Sequence, residues 1–213
     1  MKRFLTASAA GIVYAVLAVV GVLLLVVEQV DGDTDEEILS YYADSGNRGV
    51  ETAGLMMVTI GALFFLWFLS SLRSRLRVVE PEHRTLPDLA FGAGVAAATL
   101  FFAAGVMLSA TSNAVEISSR FEVDPNLARL AVATGFVLLI GSVLCNCVLV
   151  AVTSVLALRS AVLPNWLGWV GFAALVLAIG EAFLLPVFMI PVWVLIVSVV
   201  LIMVTPTRPS MDA

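Results

Sequence analysis

Apolar positions in this chain come in blocks of about 20 residues. They lack the alternation of a half-buried strand and the one-sided stripe of a surface helix. Six blocks stand out, at roughly 7–29, 52–72, 89–111, 127–158, 166–185 and 190–205. A helix of about 20 residues rises about 30 Å, the hydrocarbon thickness of a bilayer. The pattern therefore predicts an all-α, polytopic membrane helix bundle, with six transmembrane helices in a single domain covering residues 1–213. The first block follows Lys2 and Arg3 and ends at Glu28, Gln29, Val30 and Asp31. It is too long for the apolar core of a cleaved signal peptide, so an uncleaved first helix is expected.

The stretches between blocks differ in character. They are an acidic segment at 31–51, a basic loop at 73–88, a mixed loop at 112–126, a short joint at 159–165 and an apolar turn, "PVFMIP", at 186–191. Thr34 followed three residues later by Glu37 fits a capping box. A short outer amphipathic helix is predicted over 34–43, with Ile38 and either Tyr41 or Tyr42 resting on the bundle and shielding the 186–191 turn. Asp88 after Pro87 is expected to cap the third long helix. Asp124 with Pro125 is expected to open the fourth. Gly92, Gly94, Ala96, Ala97, Ala98, Ala104 and Gly105 allow close helix approach, which places the third long helix near the bundle centre.

Composition agrees with a lipid solvent. Hydrophobic residues make up 61% of the chain, only 13% is charged, and the mean hydropathy is +1.07. A single soluble core could not absorb that much apolar surface. The net charge of −5 hides a segregation of sign that sets the topology. With the amino terminus inside, Lys2, Arg3, Arg73, Arg75, Arg77, Arg84, Arg159 and Arg208 lie inside, and Arg48, Arg120 and Arg129 lie outside. By the positive-inside rule both termini are cytoplasmic, and Trp166 and Trp169 fall at the inner interface.

The same residues exclude several chemistries. Outside the short basic loop, no basic face or interleaving of basic and aromatic residues exists for nucleic acid. His83 is the single histidine, so a bis-histidine haem or histidine-based zinc site has no ligands. No phosphate loop or nucleophile elbow appears. No catalytic residue, cofactor or metal is predicted. Asp31, Asp33 and Asp35 share the spacing that opens a calcium loop, but Glu36 stands where glycine is wanted and Tyr42 where a bidentate Glu is wanted. With Glu36 and Glu37, these acids read as a solvated outer cap. Cys145 and Cys147 point to different helix faces and imply no disulfide.

Few polar groups remain inside the apolar blocks. Glu181 is the main one. It lies fifteen residues beyond Trp166, roughly 22 Å along the helix, in the outer third of the membrane. A carboxylate at such depth is a functional candidate, expected to face the interior near Arg129 or near Ser109 and Asn113. Asn146, between the two cysteines, is expected to hydrogen-bond a neighbouring helix.

The stretch "LPNWLGWVGFAALVLAIGEAF", the proline-flanked last helix and the "YYADSGNR" after the first helix resemble the LPxWLGW-bearing family of bacterial, largely actinobacterial, multi-pass membrane proteins. This family is of the domain-of-unknown-function type. The resemblance implies a six-helix protein of the bacterial plasma (inner) membrane and supplies no catalytic residues. Asn165 stands where a basic residue is usual, a departure from the family pattern.

The first functional expectation is a non-enzymatic bundle that passes a small solute, proton or cation. The alternative is a membrane sensor, regulator or accessory subunit that docks through its outer cap. An intramembrane enzyme ranks last. The expected partners are the bilayer, anionic inner-leaflet lipid at the basic loop, and a protein partner or second copy of the chain.

Overall fold

The computed structural model describes residues 2–26, 34–79, 85–159, 164–180 and 185–203. Within them the chain forms α1 (Lys2–Val26), α2 (Asp35–Ala43), α3 (Ser45–Val79), α4 (Thr85–Leu108), α5 (Ala110–Ile117), α6 (Pro125–Arg159), α7 (Asn165–Gly180) and α8 (Leu185–Met203). No strand occurs among the described residues.

The protein is an all-helical bundle in which α1, α3, α4 and α6 are long and apolar enough to cross a membrane. α3 and α6 each run 35 residues, about 50 Å, so both project beyond the hydrocarbon. α7 and α8 are shorter apolar helices. Four described helices thus meet the length criterion, where six were expected. The 186–191 stretch is not a turn. It belongs to α8, which starts at Leu185 and carries Pro191 inside it. Proline has no N–H to give to the helix ladder, so α8 lacks one bond there.

The long helices form a ring. α1 packs on α3, α3 on α4, α4 on α6, α6 on α7, α7 on α8, and α8 returns to α1. α4 is therefore a member of the ring between α3 and α6, not a central helix. Its small residues serve those two neighbours: Leu69 from α3 lies against Gly94, and Val58 lies against Gly105. α1 and α3 meet through Gly21 and Gly54. A Cβ on either would come within 3.1 Å of the other's carbonyl oxygen.

Inside the ring lies one apolar core built from Tyr14, Phe65, Phe68, Phe101, Leu139, Leu156, Leu167 and Val197. Tyr14 of α1 stacks on Phe65 at 4.4 Å and meets Phe101 edge-on at 6.4 Å. The outer faces of the long helices stay apolar and exposed, as at Val16, Leu63, Val137 and Leu144. Solvent-facing helices are polar on that side, whereas helices facing lipid are not. Trp166 and Trp169 are also exposed.

Neighbouring long helices run antiparallel, so the bundle has two distinct ends. One, the cap end, gathers α2, α5 and the starts of α3 and α6. The other, the basic end, brings Arg73 and Arg77 of α3 to Asp88 of α4. α4 begins at Thr85, so Asp88 sits inside its first turn and binds these arginines rather than capping the helix. Asp124 does cap α6: its Oδ1 accepts from Asn126 N–H at 2.8 Å.

Candidate functional site at the cap end

Two abrupt helix changes bring polar residues together at the cap end. The first is at Asp44. Its N–H donates to the Tyr41 carbonyl and closes α2, while its Oδ1 accepts from Gly46 N–H at 2.8 Å and its carbonyl accepts from Arg48 N–H. One residue thus ends α2 and starts α3. α3 therefore begins early, and Arg48 and Glu51 fall in its first two turns.

The second change is at Ser109, where α4 ends and α5 begins. Ser109 Oγ donates back to the Gly105 carbonyl at 2.8 Å. Asn113 Nδ2 donates to both the carbonyl and Oγ of Ser109, each at 2.9 Å. These bonds satisfy polar groups that the change of helix would otherwise leave buried. Just beyond them, Ser112 reaches α3 and Thr111 lies by α2.

Glu51 is fully buried, and Ser112 Oγ donates to its Oε2 at 2.6 Å. A bond this short between hydroxyl and carboxylate is typical of a strong, charge-assisted contact. The Thr111 hydroxyl lies beside the Tyr42 phenol of α2. Burial pushes the Tyr42 phenol up to about 12, the nearby Glu51 charge adds to this, and the Thr111 hydroxyl opposes it. The carboxylate and phenol thus interact electrostatically, so α2 is part of the roof over Glu51.

α2 is fastened at both ends. At its start, Thr34 and Glu37 complete the expected capping box, with Thr34 N–H donating to Glu37 Oε2 at 2.9 Å. Arg129 of α6 reaches Asp35 Oδ1 at 2.7 Å. At its end, Arg48 Nη1 donates to the Tyr42 and Ala43 carbonyls at 2.7 and 3.0 Å, while Nε donates to Glu116 of α5 at 2.8 Å. A guanidinium has donors enough for all three acceptors. Ile38 and Tyr42 bury their apolar surface against Ala128 of α6. The surface that α2 covers thus lies on α3, α5 and α6.

The residues singled out from sequence separate into groups. Ser109 and Asn113 lie together in the cap-end cluster. Arg129 lies on the rim and ties down α2 through Asp35. Glu37 belongs to the capping box, and Glu36 is exposed. Glu181, Asp31 and Asp33 lie outside the described residues. Asn146 is buried, but its Oδ1 has no hydrogen-bond partner among the described residues. On that face of α6 it is Ser142 Oγ that reaches another helix, donating to the Ala97 carbonyl at 2.9 Å. Cys145 and Cys147 are free thiols. No group of three or more His, Cys, Asp or Glu that could hold a metal occurs among the described residues.

The residue that the sequence reading missed is Glu51. It belongs to the acidic segment by position, and the second apolar block begins just after it. Its signal is periodic. Glu51, Val58, Phe65 and Leu72 recur every second turn on one face of α3, and all four are buried. A carboxylate continuing a core stripe is an inward-facing carboxylate.

Chemically, the cluster offers one carboxylate in a solvent-excluded place, with a hydroxyl bonded to it and a phenol beside it. Such a group can take up and release a proton, or hold a small cation through oxygen atoms. No family model matches the chain, and no curated protein or solved structure matches it either.

Proposed function

We propose that this protein is a six-span bundle of the bacterial plasma membrane, with both termini cytoplasmic, that handles a proton or small cation entering from outside through Glu51. Glu51 is the cap-end acceptor, Ser112 orients it, and Tyr42 with Thr111 roofs it. The observation carrying this reading is the full burial of Glu51 against Ser112 at the cap-end mouth of the ring, the one buried carboxylate among the described residues. An ionisable group in such a place is costly, and membrane proteins retain few without a task. Deeper in the ring, Ser142, Asn146, Thr153 and Ser154 are buried polar groups on α6 toward which an entering proton or ion could pass.

The test is flux. The full chain is reconstituted in proteoliposomes, and internal pH or cation content is followed under an imposed gradient. Wild type conducts above the protein-free background, and Glu51→Gln falls to that background. Equal flux in the variant, or background flux in wild type, refutes the reading. The orientation is tested separately with single cysteines at Ser45 and Ser74, exposed positions at opposite ends of α3, in a background lacking Cys145 and Cys147. An impermeant thiol reagent labels position 45 alone in intact cells; labelling of position 74 alone reverses the scheme.

One observation favours the alternative role, an accessory or regulatory subunit. Beside the firmly fastened α2, Ile117 is 86% exposed and Phe121 is also exposed. Exposed apolar groups on a rigid rim suit a protein partner. In that case Ile117→Asp releases a copurifying partner and leaves the fold intact. Retention of the partner by the variant would count against docking there.

A further inference from the structure

At the basic end, away from Glu51, three side chains from two helices hold one another in place. Arg73 and Arg77 stand one turn apart on α3 and converge on Asp88 in the first turn of α4, at 3.0 and 2.9 Å. Arg73 also lies over the Phe91 ring, its guanidinium carbon 4.5 Å from the centroid. Stacking of this kind fixes the plane of the guanidinium. Among the described residues two cations face one anion here, an excess of positive charge.

The way Asp88 is bound decides which donors are left. It accepts from Arg73 through Nε, and from Arg77 through Nε and Nη2. Among the described residues, neither Nη of Arg73 nor Nη1 of Arg77 has an acceptor. These groups belong to side chains that are 33% and 35% exposed, neither sequestered nor freely waving. The depth is equally specific. Asp88 sits in the first turn of an apolar helix, and the next residue, Leu89, is apolar and exposed. With α4 read as a membrane span, the corner falls at the end of its apolar run, near the headgroup level.

We propose that this corner is a binding site for the phosphate of an anionic phospholipid in the leaflet at the basic end, with Arg73 and Arg77 as the phosphate-binding residues. Both present planar forks of N–H donors that match phosphate oxygens. Asp88 and Phe91 are positioning residues: they hold the forks turned toward the bilayer surface, and Leu89 lies where an acyl chain begins. A freely solvated basic loop would attract anionic lipid by charge alone and would not distinguish arginine from lysine.

The experiment places the full chain in nanodiscs of phosphatidylcholine containing a minor fraction of phosphatidylglycerol. The lipids retained after extraction are read by native mass spectrometry. Wild type retains phosphatidylglycerol in preference to phosphatidylcholine. Replacing both residues, Arg73→Ala with Arg77→Ala, lowers that preference by about one order of magnitude or more, on the scale of two headgroup-level cations. Arg73→Lys with Arg77→Lys keeps the charge and the fold, removes the forks, and retains less than half of the preference. This variant carries the test if the alanine pair fails to fold. Equal retention of the two lipids by wild type, or full preference in the lysine pair, overturns the proposal. So does displacement of the lipid by inorganic phosphate at millimolar concentration, which would assign the corner to a free anion instead.

Discussion

Ser112 Oγ and Glu51 Oε2 lie 2.6 Å apart and are both shut off from solvent, although they belong to α5 and α3. The bond joins α5, which follows α4 after one residue, to α3, which begins one residue after α2. Gly105, which lies against Val58, and Ser112 are seven residues apart, and so are Val58 and Glu51, so the seam between α4 and α3 runs on through Ser109 to the cap end.

The first prediction concerns this bond. Ser112→Ala leaves a buried carboxylate oxygen without its hydroxyl donor. A lost hydrogen bond to a charged group costs about 1.5–3 kcal/mol. The thermal midpoint of the detergent-solubilised variant drops accordingly, while Ser40→Ala, an exposed hydroxyl on α2 bonded to the Glu37 carbonyl, changes little. Equal midpoints for Ser112→Ala and wild type would show that the bond contributes nothing.

The two arginines that fasten α2 should differ in importance. Arg48 is only 14% exposed and serves two helix-terminal carbonyls besides Glu116. Arg129–Asp35 is an open surface pair, at 43% and 65% exposure. Exposed pairs contribute at most about 1 kcal/mol. Arg48→Ala therefore speeds amide hydrogen exchange throughout 35–43 by tenfold or more, and Asp35→Asn changes it by less than about fivefold, one such pair's worth. The reverse order would move the anchor to the other end of α2.

The cap should loosen in alkali. The Tyr42 phenol has its pKa raised from 10.0 to about 12, chiefly by burial. A group whose folded pKa is raised favours the folded state in its neutral form. Its contribution is complete below pH 10.0 and is lost as pH climbs toward about 12. Tyrosinate absorbance and cap hydrogen exchange should rise together in that window, and Tyr42→Phe should abolish the coupling. Cap loosening in Tyr42→Phe over the same window would assign it to another group.

The seating of α7 rests on a glycine. A Cβ at Gly168 would stand 2.6 Å from Leu158 Cγ and 2.9 Å from the Ser154 carbonyl oxygen of α6. The backbone oxygen cannot swing aside as a side-chain tip can, so Gly168→Ala separates the helices at a cost of about 1–3 kcal/mol. Trypsin accessibility at Arg159, where α6 ends, is the readout. An unchanged cleavage rate would mean that α7 accommodates the methyl.

Several parts of this architecture were legible because they rest on short-range rules. The capping box at Thr34 and Glu37, the Asp124–Pro125 opening of α6 and the apolar lengths of α1, α3, α4 and α6 follow from neighbours in sequence. The errors arise where tertiary packing decides. Asp88 resembles a helix cap, but two guanidiniums one turn apart on α3 outcompete the backbone for it. "PVFMIP" resembles a turn because prolines flank it, yet Pro186 is compatible with a helix's first turn and Pro191 costs α8 only one ladder bond. The small residues of α4 do permit close approach, but they do not say from which sides it comes. Ser109 and Asn113 were identifiable as polar groups at a helix end. Glu51 was obscured by the acidic segment around it, and only its place on the Val58–Phe65–Leu72 stripe reveals that it turns inward.

The central claim is that Glu51 exchanges a proton or cation with the outside, and infrared spectroscopy tests it most directly for the proton. Proteoliposomes holding the full chain are given a step in external pH, and the carboxyl C=O and carboxylate stretching bands are followed in time. A reversible exchange of intensity between these bands, absent from Glu51→Gln and displaced in frequency by Ser112→Ala, is the predicted result. A difference spectrum that is the same in wild type and Glu51→Gln would contradict the claim and leave Glu51 as a static tie between α3 and α5.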